Sequence, residues 1–233
     1  MASEKGLRNI LAFIFFILVA CSEGKSTRSN SVKSQSELEG SSQSLYRAIL
    51  KPINENVAGK TAGVVLVRID GDEFVVEETV SESPANVRHY QYITEGSDCP
   101  TEDVNGDSYI DVKESESTLR KMLIPLDSNL DSQIDGSDFG PIANPAGAFV
   151  YRKTASLARM MADLQLDDPN SMDDLVKLEN EDALNLSQRA VVIHGIGYGL
   201  PDSVASRDGM SASESLPIAC GQLVRISSED DET

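Results

Sequence analysis

Oxygen-bearing side chains alternate through residues 103–114. Asp103, Asn105 and Asp107 take the first, third and fifth places of a twelve-residue stretch, followed by the Tyr109 carbonyl at the seventh, Asp111 at the ninth and Glu114 at the twelfth. Ca2+ gathers six to eight oxygens, and this alternation turns successive donors toward one centre, where a closing glutamate supplies both of its oxygens. Ile110 at the eighth place is apolar and suited to pack beneath the loop. A second stretch of the same phase runs through Asp127, Asn129, Asp131, the Gln133 carbonyl, Asp135 and Asp138. Its closing Asp138 is shorter than glutamate, so the second stretch is the weaker candidate. Ca2+ is the expected cofactor.

Both stretches resemble the EF-hand calcium loop at their ligand places. They depart from it at the sixth place, where Ser108 and Ser132 stand instead of glycine. A left-handed serine costs about 1 kcal/mol, which weakens binding. Cys99-Pro100 precedes the first loop and Phe139-Gly140-Pro141 follows the second, a poor context for flanking helices. The expectation is calcium loops grafted into another domain, not a paired EF-hand domain.

The elements that must carry these loops are mostly β. Short runs rich in branched and aromatic residues at 44–50, 61–69, 74–80 and 87–93 are separated by turn-forming segments at 54–59, 70–72 and 81–86. Further strands are expected at 148–154, 189–194 and 222–226, with helical spacing over 156–164 and 172–178. Such a pattern points to a mainly β fold, a Greek-key sandwich or barrel with one or two short helices. The chain counts 38 acidic against 20 basic residues, a formal net charge of −18. That surface opposes nucleic acid and anionic membrane faces, and it suits cations.

At the N-terminus, Lys5 and Arg8 precede an apolar run over 10–20. The run is half of the roughly 20 residues a spanning helix needs, so it reads as a signal-peptide core. It ends in Leu18-Val19-Ala20-Cys21, which resembles the lipobox of bacterial lipoproteins. The resemblance implies cleavage before Cys21 and lipid on that cysteine, and more than one acyl chain is enough for stable anchoring. It places the protein at the bacterial cell envelope, and Ser22 implies the outer membrane in a Gram-negative host. The expected organisation is a signal peptide over 1–20, the lipidated cysteine and a flexible tether over 21–44, a domain over 45–226 with a calcium-loop insert over 99–140, and an acidic tail over 227–233. With Cys21 lipidated, Cys99 and Cys220 remain, and an even pair in an exported chain suggests a disulfide.

Around the insert, AILKPINENVAGK over 48–60, the following TAGVVLVRIDGDEFVVEETV, LSQRAVVIH over 186–194 and LPIACGQLVRI over 216–226 carry a second resemblance. They resemble the first hairpin, the Val-Val-His strand and the final strand of the copper/zinc superoxide dismutases and of bacterial proteins with related chordin-type domains. This implies a superoxide-dismutase-like Greek-key β-sandwich whose middle is replaced by the calcium segment. By position it puts His89-Tyr90-Gln91 at the family's His-x-His copper pair, His194 at the Val-Val-His ligand, and Cys99 with Cys220 at the family's disulfide. Gln91 replaces one ligand, and with two histidines in the chain neither the bridging nor the zinc histidines exist. Pro217 stands where the family has its substrate-guiding arginine. His89 and His194 are left as a degenerate site for Cu2+ or Zn2+, and dismutase activity is expected to be absent.

The expected function is that of an envelope-anchored, calcium-binding, noncatalytic protein with a structural or interaction role. Its partners would be the membrane, through the lipid, and an envelope or extracellular partner that the sequence does not name. The alternative is a copper-binding protein or divergent metalloenzyme using His89 and His194. A hydrolase built on the glycine-rich segment from His194 to Gly199 lacks a recognisable nucleophile motif. Replacing Cys21 with alanine should leave an uncleaved or soluble form and abolish partitioning into a detergent phase. Unchanged partitioning would overturn the anchor.

Overall fold

Val65 and Val67 are fully buried and alternate with the more exposed Val64, Leu66 and Arg68 in β2 (Ala62–Asp70), the period of two of a strand with one face on the core. β2 pairs along its length with β1 (Ser44–Pro52) on one side and β3 (Glu73–Ser81) on the other, both antiparallel. Gly71 sits at φ 57° in the turn between β2 and β3, a conformation open to a residue without a Cβ. The neighbouring Asp72 accepts from the Ala158 amide at 2.8 Å and the Ser156 hydroxyl at 2.7 Å, bonds that hold its carboxyl below the usual range. They fasten the hairpin tip to the start of α3 (Leu157–Gln165).

The computed structural model describes residues 43–130, 140–165, 177–178, 184–207 and 209–227. The signal peptide, Cys21, nearly all of the tether, the ligand candidates Asp131, Gln133, Asp135 and Asp138, and the tail beyond Ser227 lie outside these residues. So does the helix expected at 172–178, except for its last two positions, which are not helical.

β6 (Phe149–Ser156) extends the sheet beyond β3, and β9 (Val224–Ile226) pairs with the start of β1. A second group joins β4 (Tyr90–Thr94), β5 (Met122–Pro125), β7 (Ala190–His194) and β8 (Pro217–Gln222). The two groups meet where Lys51 and Pro52, at the end of β1, pair with Cys220 and Ala219 of β8. The result is a mainly β molecule with one curled antiparallel sheet in the order β5-β4-β7-β8-β1-β2-β3-β6. Its main core includes Leu50, Val67, Phe74, Ile93, Leu123 and Ile193, and a smaller cluster gathers Tyr92, Leu119, Met122, Val192 and Cys220. The remaining helices are α1 (Glu55–Ala58), α2 (Val112–Leu119) and α4 (Ala212–Ser215). None of the helices among the described residues is long and apolar enough to cross a membrane.

Several elements depart from the sequence expectations: α1 and α4 stand where no helix was expected, and β4 begins at Tyr90 instead of 87. β5 lies inside the segment assigned wholly to the calcium insert, and all four of its residues are buried, so it carries no alternation to read. α2 follows the first calcium stretch directly and is polar except for Val112 and Leu119; a reciprocal cap between Asp111 and Glu114 starts it. The strand expected at 222–226 is divided: β8 ends at Gln222, and only β9 follows.

Close approach of β8 to β1 requires Gly221, where a Cβ would stand 2.5 Å from the Ile49 carbonyl oxygen. Next to it, Cys220 is joined to Cys99 with an S–S distance of 2.03 Å across 121 residues of chain. Opening a loop of this length removes a constraint on the unfolded chain. The double replacement Cys99→Ser, Cys220→Ser should lower unfolding free energy by about 2–5 kcal/mol in denaturant titrations. An unchanged midpoint would show that the bridge contributes nothing to stability.

Candidate functional site

The segment between β4 and α2 folds around its own carboxylates. The Asp103 carboxylate accepts from the amides of Gly106 (2.7 Å), Asp107 (3.2 Å) and Ser108 (2.7 Å). Asn105 Oδ1 accepts from the Asp107 amide at 2.8 Å, and Asp107 Oδ1 from the Tyr109 amide at 3.0 Å. Ser108 has φ 76°, the left-handed conformation expected at the sixth place of the loop. Asp111 Oδ1 caps α2 by accepting from the Lys113 and Glu114 amides, while its Oδ2 accepts from the Ala205 amide at 2.7 Å. Glu114 returns across the loop: Oε1 accepts from the Val104 and Asn105 amides at 2.7 and 2.9 Å, and Oε2 from the Asp111 amide at 3.1 Å.

The base of the loop is held from outside by Asn54. Its Oδ1 accepts from the Ile110 amide at 2.8 Å, and its Nδ2 donates to the carbonyls of Ile110 and Pro217, each at 2.9 Å. Asn54 adopts φ 55°, which a short polar side chain tolerates, and so one amide links the loop to the start of β8. Sequence reading passed over Asn54 as a turn former.

Oxygen is the sole donor type among the side chains of this loop, as a hard cation requires. Those oxygens are bonded to loop amides, and among the described residues no three His, Cys, Asp or Glu side chains are gathered closely enough to hold a metal ion. The donor chemistry and backbone phase fit Ca2+, on the condition that Glu114 exchanges the Val104 and Asn105 amides for the ion. In the second stretch, Asp127 is buried. Its Oδ1 accepts from the Asn129 and Leu130 amides at 3.3 Å, and its carbonyl accepts from the Tyr151 hydroxyl at 2.6 Å.

His89 and His194 are both buried and meet through ring and backbone: His89 Nδ1 lies 3.1 Å from the His194 carbonyl oxygen. The two rings do not share a face. His89 stacks on Phe149 in the main core at 5.4 Å between centroids, while His194 stacks on Tyr92 of the smaller cluster at 5.0 Å. Tyr90 pairs directly with His194, so the β4 side chains on the His194 face are Tyr90 and Tyr92, not His89 and Gln91. Tyr92 Oη lies 3.3 Å from His194 Nε2 and accepts from Arg207 Nη2 at 2.7 Å. Burial pushes both imidazoles below their ordinary pKa, His194 strongly, with the Arg207 charge adding to its shift. Both are neutral at physiological pH, in positions that suit packing better than joint metal ligation.

A further buried polar residue went unread. Phe74, Val76, Glu78 and Val80 form the inward stripe of β3, so the period of two already assigns Glu78 to the core. Glu78 is 1 % exposed and Gln91 4 %, and the two side chains face each other in the core. Burial pushes the Glu78 carboxyl from 4.5 up to about 8, and the nearby Gln91 amide offsets part of that rise. Glu78 is therefore protonated in the folded protein at neutral pH and ionised in the unfolded chain. Its folded pKa is the higher one, so native stability is greatest below pH 4.5 as far as this group is concerned and falls as pH rises toward about 8. Glu78→Gln should flatten that slope and raise the denaturation midpoint at pH 7. Parallel pH profiles for the two proteins would refute the assignment.

No protein-family model matches the chain, and no curated protein matches it.

Proposed function

We propose that the protein is a calcium-stabilised, noncatalytic domain held at a bacterial envelope by lipid on Cys21. The observation that carries the calcium reading is the fold of residues 103–114: Ser108 takes the left-handed place, Ile110 is clamped through its backbone, and Asp111 and Glu114 stand at the start of α2. Asp103, Asn105, Asp107, the Tyr109 carbonyl, Asp111 and Glu114 would hold the ion. Its charge would offset the crowding of four carboxylates in one short segment. The second stretch from Asp127 is the weaker site.

The domain is read as a Greek-key sandwich related to the copper/zinc superoxide dismutases. What supports this is the strand order, in which β6 lies beside β3 and β7 beside β4, so that each half of the sheet contains one skipped connection. The bridge between Cys99 and Cys220 supports the same reading. Against a dismutase stand Gln91, Pro217 and two histidine rings packed in separate clusters. The role left to such a domain is structural, or one of interaction at the envelope.

Thermal melts test the calcium reading. The melting temperature should rise with millimolar Ca2+ and much less with Mg2+, which prefers a smaller octahedral shell. A ligand held only by the native state adds about 2.7 kcal/mol at a hundredfold excess over Kd. Extracellular-type calcium sites have Kd near ~10⁻⁴–10⁻³ M, so millimolar calcium should deliver less than that. Glu114→Gln should weaken the response more than Asp138→Asn. Superimposable melts in chelator and in calcium would make these loops acidic turns and sink the reading.

A further inference from the structure

A cavity of about 370 Å³ opens between α2, the link from α2 to β5 at Arg120 and Lys121, and residues 205–207. Its charged lining inverts the balance of the chain: Lys113, Arg120, Lys121 and Arg207 face one carboxylate, Glu116. Across the whole sequence acidic residues outnumber basic ones by 38 to 20. Four cations in one concavity of so acidic a protein repel one another and raise the local potential against the global field. Helix capping accounts for Arg120, which stands at the C-cap of α2, and not for Lys113. Lys113 lies in the first turn of α2, where the helix dipole disfavours a positive charge. The ion pair of Arg120 with Glu95 is long, at 4.0 Å, with the arginine side chain 64 % exposed, too loose to fix that cation for stability alone.

Arg207 by contrast is held in place. Its guanidinium lies 4.8 Å from the Tyr92 ring centroid and donates to Tyr92 Oη at 2.7 Å. Stacking and bonding together fix the plane of the fork before any ligand arrives. Tyr92 and Leu119, which belong to the smaller core cluster, back the cavity beneath its cationic rim. A fixed guanidinium beside two ammonium groups in a polar concavity suits a small organic anion with two oxyanion oxygens to share among the cations.

We propose that this cavity is a binding site for a small oxyanion ligand, of the phosphate or short dicarboxylate type. The site does not depend on the calcium reading, and its test is run without calcium. The full chain in detergent, in calcium-free buffer of low ionic strength, is titrated with inorganic phosphate in one arm and succinate in another, followed by amide-resolved NMR. Saturable shifts confined to α2, its link to β5 and residues 205–207 are expected in at least one arm. The arm that saturates assigns the ligand chemistry, and saturation in both assigns oxyanions in general. Lys121→Gln and Arg207→Gln should each weaken binding by about tenfold, the worth of one charge-assisted hydrogen bond. Lys60→Gln, an exposed lysine outside the cavity, should leave binding unchanged. Arg207 packs on Tyr92 and its replacement could disturb the fold, so the exposed Lys121 carries the test by itself. Failure of both anions to saturate, or equal weakening by Lys60→Gln, would overturn the site.

Discussion

Everything in the sheet turns on the last residues of β1. Its length pairs with β2, its start with β9, and its end, at Lys51 and Pro52, with β8. Those few backbone bonds join the two strand groups into one curled sheet, and they form only because Gly221 lets the β8 backbone come against Ile49. Immediately beyond, Ile53 donates its amide to the Ile218 carbonyl and Asn54 grips both Ile110 and Pro217. With Cys220 bridged to Cys99 in the same neighbourhood, a short span of chain fixes the sheet junction, the disulfide and the base of the 103–114 loop. A change at any one of these residues is felt by the others, since they share partners.

The loop at 103–114 uses the same atoms for two purposes. Asp111 and Glu114 cap the first turn of α2, and both are ligand candidates by their places in the sequence. An N-cap carboxylate and a cation ligand need the same thing, an oxygen aimed at positive charge, whether that charge is a set of amide hydrogens or an ion. The loop is thus already organised by its amides, and an ion would replace amide partners without building the turn anew. The Asp111 contact with the Ala205 amide extends this organisation to the wall of the cationic cavity.

Much of the β framework was legible from residues alone. β1, β2, β3 and β6 alternate branched and polar residues between clear turns, β7 is an apolar branched run, and all five lie within two residues of their expected positions. β5 was not legible, because its four buried residues are too few to show a period and end in a proline. α2 was hidden because its sequence, VKESESTL, draws its start from a cap and not from an apolar stripe. At the histidines, motif position proved insufficient where strand phase decides. A one-residue difference separates His89 from Tyr90, and that difference sends one ring into the main core and leaves the other beside His194. Glu78 had a readable signal in the inward stripe of β3, whereas the cavity joins residues far apart in the chain and had none.

The position of β1 also governs when the molecule can form. It is the first of the described strands, yet its neighbours β8 and β9 are the last. During synthesis from the N-terminus, the hairpin of β2 and β3 can pair early, but one edge of β1 stays bare until the end of the domain has emerged. Contacts of such wide separation are slow to close, because loop entropy must be overcome before they contribute. The curl closes only once β8 and β9 are present, so the order of strands acts as a clock that holds the folding of β1 back until its last neighbour arrives.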